Sequence, residues 1–539
     1  MILFIQFVIQ IRILQLIRLI IFTDRLFLFY MLRKIIFILT FIIVAPVYLR
    51  SQIKSNPKRE FRGVWVATVA NIDWPSKPGL SSGIQKAELI RIFDDHQKSG
   101  INAIMLQIRP ATDAFYGRGR ELWSRFLTGN QGMGPVPNYD PLDFAIEEAH
   151  KRGMELHAWF NPYRATHNLI DAHTAANHIS KQKPEWFFTY GGKKLFNPGL
   201  PEVRKYIVGV IMDVVRNYDI DGVHFDDYFY PYPEAQPIRD SETYYKYGSA
   251  FKTIEDWRRN NVDTLIHTLS DSIHNAKKHL KFGVSPFGIW RNKSQDPEGS
   301  ESNGFDGYGK LYANARKWVQ SGWLDYINPQ IYFPFGYQVA PYDKLLDWWS
   351  NNTFGKHLYI GQGVYRALEN RPGWSDRSQI PKQIRYLRNN KNTHGSVFFS
   401  SKSVTNNMAG VKDSLRSDFY RYPALQPTMP WLDKVKPNAP TVLTAKAVAK
   451  GVALSWQSPT EASDGDKAFG YVIYRVNRGE KMDIEQAHHI LKVSFKASET
   501  TFTDTLVNAN RSYTYVVTAI DRLKNESQAS NAVTASPRF

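Results

Sequence analysis

Cysteine is missing from all 539 residues. Its absence excludes disulfide scaffolds, thiolate metal sites, cysteine nucleophiles and a lipid-modified N-terminal cysteine. Basic residues outnumber acids, 68 to 50, for a formal charge of +18. No lysine/arginine run or RNA-binding signature accompanies them, so nucleic acid is not expected as a partner. Residues through Lys54 carry +6 of that charge, and the remainder suits an anionic polymer or envelope surface. The histidines lack ligand spacing and no acidic loop of the calcium type occurs, so no metal or other cofactor is expected. Aromatic residues, in contrast, make up 14 % of the chain, with 14 tryptophans. Such rings serve a soluble core and also stack on sugar faces.

The N-terminus carries an address. Met31-Leu-Arg-Lys-Ile-Ile-Phe-Ile-Leu-Thr-Phe-Ile-Ile-Val-Ala-Pro46 has a basic start and an apolar run, the two parts of an export signal. The run ends near Leu49-Arg-Ser-Gln52, which lacks the small residues of a cleavage site. Residues 1–55 are therefore expected to be an export or anchor segment, with Met31 as the true start or the segment retained in a membrane. The rest is expected to be exported to the periplasm, the cell envelope or the extracellular space, with envelope attachment through this segment and a monomeric state.

From Glu60 to Arg421 the pattern is regular. Apolar strands are predicted at 61–68, 103–109, 155–160, 220–225, 281–286, 326–332, 357–361 and 395–400. Amphipathic helices follow at 86–99, 141–151, 202–218, 253–278, 309–320, 342–350, 378–389 and 406–415. Eight strand–helix alternations call for a (β/α)8 TIM barrel over 56–421. Connections after strands are long, as in Pro110 to Tyr139 and Asn161 to Pro201, whereas those after helices are short and end in Gly100 or Gly153. Length invested in one face builds a pocket there.

Residues 422–440 form a proline-rich linker, and 441–539 show alternating apolar and polar residues. This last part resembles a fibronectin type III domain, a small all-β sandwich. Trp456, Tyr474 and Tyr513-Thr-Tyr515 stand where that family keeps core residues, so the module is expected to be a spacer or docking piece.

The organising stretch is Asp221-Gly-Val-His-Phe-Asp-Asp-Tyr-Phe-Tyr-Pro231. Side chains alternate along a strand, so His224, Asp226 and Tyr228 share one side if the extended geometry persists. At the carboxyl end of a barrel strand that side is the mouth, where such folds keep their chemistry. Two adjacent acids can simply cap a strand end. Among aromatic rings, however, they must be paired or used. The same parity gathers Gln107, Arg109 and Asp113; His157, Trp159, Asn161, Tyr163 and Arg164; Ser285, Trp290 and Arg291; and Asn328, Gln330 and Tyr332.

Carboxylates among aromatic platforms and amides are the equipment of glycoside hydrolysis. Asp226 is the expected principal carboxylate, with Asp227 or Asp113 as its partner. Arg109, Trp159, Asn161, Tyr163, Arg164, His224, Tyr228, Trp290, Arg291, Asn328, Gln330 and Tyr332 are expected to bind substrate. Strand seven ends in Gly361-Gln-Gly363 without an acid, so the two-glutamate arrangement of many retaining barrels is missing and the anomeric outcome stays open.

Strand four also looks like the Asp-Gly-x-Asp-x-Asp-x-Glu motif of chitinase-type enzymes, but Tyr228 replaces the glutamate, so that chemistry does not carry over. A closer likeness spans Arg59 to Arg421. Glu60-Phe-Arg-Gly-Val-Trp-Val-Ala67, Gln107-Ile-Arg-Pro-Ala-Thr-Asp113-Ala-Phe-Tyr116, His157-Ala-Trp-Phe-Asn-Pro-Tyr-Arg164, the strand-four stretch and Asn328-Pro-Gln-Ile-Tyr332 together resemble the glycosyl-hydrolase-like 10 family, formerly domain of unknown function 187. The resemblance implies a secreted or envelope glycosidase barrel acting on cell-wall glycan, notably strands stripped of peptide. Many such relatives are lipoproteins, an anchor this chain has no cysteine to carry. The expectation is an exported hydrolase of an N-acetylhexosamine-containing glycan such as peptidoglycan. Its rivals are a glycosidase for dietary or host polysaccharide and a non-catalytic glycan-binding barrel.

Overall fold

A computed structural model of the chain describes residues 56–170 and 173–537, with Arg12. The expected export segment lies outside the described residues. Among those described, no helix is long and apolar enough to cross a membrane.

Parallel strands covered by helices on one side and by the ring interior on the other are buried on both faces and rich in apolar residues. Eight such strands are present: β1 (Phe61–Val66), β2 (Ala103–Arg109), β3 (Glu155–Phe160), β4 (Gly222–Phe225), β5 (Lys281–Val284), β6 (Tyr326–Ile327), β7 (His357–Gly363) and β8 (Gly395–Phe399). Each pairs in parallel with its neighbours in chain order, and β1 pairs with both β2 and β8, which closes the barrel. The outer helices include α1 (Ser82–Lys98), α2 (Pro141–Lys151), α3 (Pro201–Asn217), α4 (Ile254–Ala276), α5 (Ala315–Gln320), α6 (Tyr342–Ser350) and α7 (Gln379–Asn389). Local chemistry sets their ends. Asp140 caps α2 by accepting from the Leu142 and Asp143 amides, with Pro141 at the first helical position.

Several expected spans come out shorter or broken, three of them most. The sixth strand was expected to run to Tyr332 but ends at Ile327, because Pro329 and Pro334 have no N–H for the ladder; Gln330 keeps single bridges to Phe287 and Gly361. The helix expected at 309–320 is broken into Gly307–Lys310 and Ala315–Gln320, with Tyr312 between them at a positive φ of 55°. The last helix, expected at 406–415, starts only at Val411 (Val411–Ser414, continued by Leu415–Phe419), because Asn407, Ala409 and Gly410 before it are left-handed. A separate short helix, Ser401–Thr405, precedes them.

Phe61, Trp65, Met105, Trp159, Tyr326, Tyr359 and Val397 fill the barrel interior. A polar chain runs through this packing. The Trp65 indole N–H donates to His224 Nε2 (3.1 Å), which makes His224 Nδ1 the protonated nitrogen facing the Tyr326 hydroxyl (3.1 Å). That hydroxyl in turn meets His157 Nδ1 (2.9 Å), and His157 Nε2 meets Glu155 (3.0 Å). Burial holds both histidines below their ordinary pKa, so each is neutral, with one nitrogen donating and the other accepting.

The C-terminal module packs a three-stranded sheet against a four-stranded one, as a fibronectin type III-like sandwich. Alternation was expected throughout. The four-stranded sheet is instead buried on both faces, because Val472, Tyr474, Val493, Val516 and Ile520 on its outer face form a second core with Leu425 and Phe495. Tyr474 belongs to this outer cluster, whereas Trp456, Tyr513 and Tyr515 lie between the sheets. The turn after Ile520 then delivers Leu523 into the interior cluster of the barrel and Lys524 onto Glu155, 3.1 Å away. The module plugs the base of the barrel.

Candidate active site

At the opposite end the barrel opens into a cavity of about 450 Å³, within the range of small-ligand clefts. Seven of the eight strands contribute to it through side chains on or just beyond them: Trp65, Gln107, Trp159, Asp226, Ser285, Gln330 and Phe399. Tyr365 and Arg366 enter from the turn after β7.

Asp226 follows the last residue of β4 and keeps the strand's inward parity. Its Oδ2 accepts from the Trp159 indole N–H (3.1 Å) and its Oδ1 from the Tyr228 amide (3.2 Å). Asp227 also lines the cavity and accepts from the Tyr232 hydroxyl. Both carboxyls are almost wholly buried, at 6 % and 3 % exposure. Burial, and then the neighbouring charge of Asp227, push Asp226 up to about 7, against a smaller opposing pull from Arg164. Asp227 is raised too by burial, with Tyr232 and Gln330 working the other way. Of the pair, Asp226 is thus the one poised to hold a proton near neutrality, and Asp227 is the one whose ionised form is favoured by the Tyr232 and Gln330 donors.

The walls are aromatic. Tyr332 lies against Phe399 (centroids 6.1 Å apart, 30° between planes) and Tyr365 stands edge-on to both. Trp65, Tyr228, Tyr232, Phe287 and Phe333 complete the lining. Arg164 sits over the Tyr228 ring at 4.3 Å, and Arg366 brings a second cation whose Nε is buried without a hydrogen-bond partner. Gln107 holds the wall in place: its Oε1 accepts from the amides of Thr68 and Val69.

Of the residues predicted from sequence, the cavity brings together Gln107, Trp159, Arg164, Asp226, Asp227, Tyr228, Ser285, Gln330 and Tyr332. The others lie outside its lining. Arg109 is locked by Glu121 (2.6 and 2.7 Å) and by the carbonyls of Asn161 and Pro162. Asp113 faces a separate small cavity with Gln131 and His167, and burial pushes it up to about 6. Asn161 and Tyr163 are buried, and Asn161 Oδ1 accepts from the Arg164 amide. His224 lies one layer down, in the polar chain beneath Trp65. Trp290 stacks on Trp348 and bonds Asn314, and Arg291 pairs with Asp296. Asn328 is fully buried, with neither amide atom partnered by protein.

Trp65, Phe399, Tyr365, Arg366 and Tyr232 escaped the sequence reading. Trp65 was within its reach, since Phe61, Gly63 and Trp65 alternate inward on β1. Tyr365, Arg366 and Tyr232 sit on loops, where no periodicity reports direction.

At this mouth no group of three carboxylate or histidine ligands close enough to share a cation is found among the described residues. Among the described residues, Asp433, Asp464 and Asp466 are the group of three carboxylates close enough to share one. They belong to the mostly exposed surface of the C-terminal part, where the Asn525 amide bonds Asp433.

Comparison with known proteins adds a family. Residues 60–376 match the model described as Glycosyl hydrolase-like 10. The chain is 45 % identical over 504 residues to "Glycosyl hydrolase YngK" of Bacillus subtilis (strain 168), covering 92 % of this chain and 96 % of that protein. It is 40 % identical over 347 residues to "Glycosyl hydrolase DigH" of Escherichia coli (strain K12), covering 60 % and 79 %. Among solved structures, an Fn3-like protein from Clostridium thermocellum matches 19 % of this chain and 95 % of its own, at 21 % identity and a TM-score of 0.15.

Proposed function

The chain belongs to the glycosyl hydrolase-like 10 family, and from that premise we propose that it hydrolyses glycosidic bonds in an N-acetylhexosamine-containing glycan, the glycan strands of peptidoglycan first among them. The observation that carries the reading is the pair of buried carboxyls at an aromatic mouth, one of them with its pKa pushed up to about 7 by burial and its neighbour. A protonated carboxyl can give its proton to the departing glycosidic oxygen, and its ionised neighbour can steady the positive charge that develops on the sugar. The rings of Trp65, Tyr332 and Phe399 offer stacking faces for pyranoses. Arg164 and Arg366 bring cations to the same mouth, which suits a glycan bearing carboxylates, such as the lactyl groups of peptidoglycan. Such a substrate lies outside the cytoplasm, so the proposal includes export through the segment after Met31.

The test is product analysis on peptide-free peptidoglycan strands, read as new reducing ends and by mass spectrometry. Asp226→Asn should keep the fold and lower kcat by about 10²–10⁴-fold, the usual share of a general acid. Cleavage by that variant at the parental rate would end this assignment. Saturable binding by the parent without new reducing ends would make the chain a binding barrel instead.

A further inference from the structure

We propose that the bond is broken with retention by the substrate's own 2-acetamido group, with Asp226 as the proton donor and Asp227 as the acceptor of the acetamido N–H. The inference rests on the amino-sugar reading above and names the reaction course that the reading leaves open.

Both direct routes to glycoside hydrolysis need a second carboxyl facing the first across the sugar. It stands about 5–5.5 Å away as a nucleophile, or about 6.5–9.5 Å away with a water between. Asp226 and Asp227 are the acids that line this cavity. They are consecutive residues, with Cα atoms about 3.8 Å apart, and both feel the same guanidinium, Arg164. Both approach from the end of β4. In a ring of eight, the strand facing β4 is β8, and what β8 offers to the cavity is Phe399. Its neighbours bring Trp65 from β1 and Tyr365 from the turn after β7. On β7 itself the polar candidate is Gln362, which bonds the Tyr342 hydroxyl and is fully buried. The wall where a protein nucleophile or base would stand therefore offers hydrocarbon, phenol and the Arg366 guanidinium, and no carboxylate.

A 2-acetamido sugar brings its own nucleophile. The amide oxygen reaches C1 by closing a five-membered ring, which requires no carboxylate on the far wall. It requires instead an acid beside the leaving oxygen and, next to that acid, an anion to take the amide N–H and make the carbonyl more nucleophilic. Two adjacent carboxyls with unequal proton affinity meet that requirement. The donors Tyr232 and Gln330 favour the ionised form of Asp227, and Asp226 is left with the proton.

The steps balance. The acetamido oxygen bonds to C1 while the C1–O bond to the leaving sugar breaks, and that oxygen takes the Asp226 proton. The resulting oxazolinium shares its N–H with Asp227. Water then adds to C1 and gives a proton to Asp226, the C1–O bond of the five-membered ring breaks, and the acetamide is restored. One water is consumed and nothing is oxidised.

Two measurements on the unaltered protein test the proposal. The first product anomer, followed by NMR on N-acetylated oligosaccharide before mutarotation, should retain the configuration of the bond cleaved. Glycan strands whose acetamides are exchanged for trifluoroacetamides should be cleaved at least 100-fold more slowly, because fluorine drains the carbonyl oxygen. Asp227→Asn should lower kcat and flatten that dependence. Hydrolysis with inversion, or at a rate indifferent to fluorination, overturns the proposal and leaves the amino-sugar reading standing. Failure of the parent to cleave any N-acetylated glycan overturns both.

Discussion

The two ends of β4 carry buried aspartates in opposite electrical states. Asp221, at the base, accepts from His150 (2.7 Å) and from the Leu156 amide (2.9 Å). Burial works to raise its pKa, but His150, Lys524 and that amide hold it below the usual carboxylate range. Glu155 beside it is likewise held low by Lys281 and Lys524 against burial. Five residues further along the strand, Asp226 is as deeply buried and is pushed up to about 7. Burial is common to both ends; the strength of the opposing positive charge is not. The base spends cations on its carboxylates and becomes a fixed, neutralised floor. At the mouth the pull of Arg164 is smaller than the effects of burial and of Asp227, and Asp226 keeps a proton available for transfer.

Removing the charge at each end should therefore change stability with opposite sign. Glu155→Gln leaves Lys281 and Lys524 facing each other in the barrel floor without their anion. Breaking a buried pair in this way costs about 3–5 kcal/mol, measurable by urea unfolding at pH 7. The folded-state pKa of Glu155 is depressed, so its contribution is present above the unfolded value near 4 and is lost as the pH falls through the lower folded value. The gap between parent and variant should accordingly close in acid. Equal stabilities at pH 7 would mean that the base is no more tightly held than the mouth.

The barrel was legible because its strands, buried on both sides, read as apolar runs at regular spacing. The site was legible where strand parity applies, and Asp226 and Trp159 both fall on the inward set. It was not legible where a side chain's partner lies in a loop. Arg109 has inward parity, yet Glu121, twelve residues on, folds back and locks it. Asp113 stands on the far side of the same turn, and nothing in its spacing says that it faces another cavity. The base was the least legible part. Lys524 reaches Glu155 across more than three hundred residues, in a module whose second buried face appears in sequence only as a departure from alternation.

At the mouth, Asp226→Asn should stabilise the protein. The folded pKa of Asp226 is raised, so the favourable contribution is full below the unfolded value near 4 and is lost as the pH rises through about 7. Asparagine has no charge to bury. The variant should be more stable than the parent by about 1–3 kcal/mol at pH 8 and should converge with it near pH 4, a gain in stability obtained by removing function. A variant less stable than the parent at pH 8 would show that Arg164 neutralises Asp226 as fully as the lysines neutralise Glu155.

The smallest effect is the sharpest probe of how the proton is held. Trp159 donates its indole N–H to Asp226 Oδ2, and a donor favours the ionised form, so it lowers the pKa that burial raises. Trp159→Phe keeps an aromatic wall and deletes the donor. Asp226 should then hold its proton to higher pH. On the proposed reading, the alkaline limb of kcat/KM, set where Asp226 loses its proton near pH 7, should move upward by about half a unit to one unit, or up to about 1.4 kcal/mol. The direction matters more than the size. A downward shift would mean that the limb reports another group, and that the proton leaving near neutrality does not sit on Asp226.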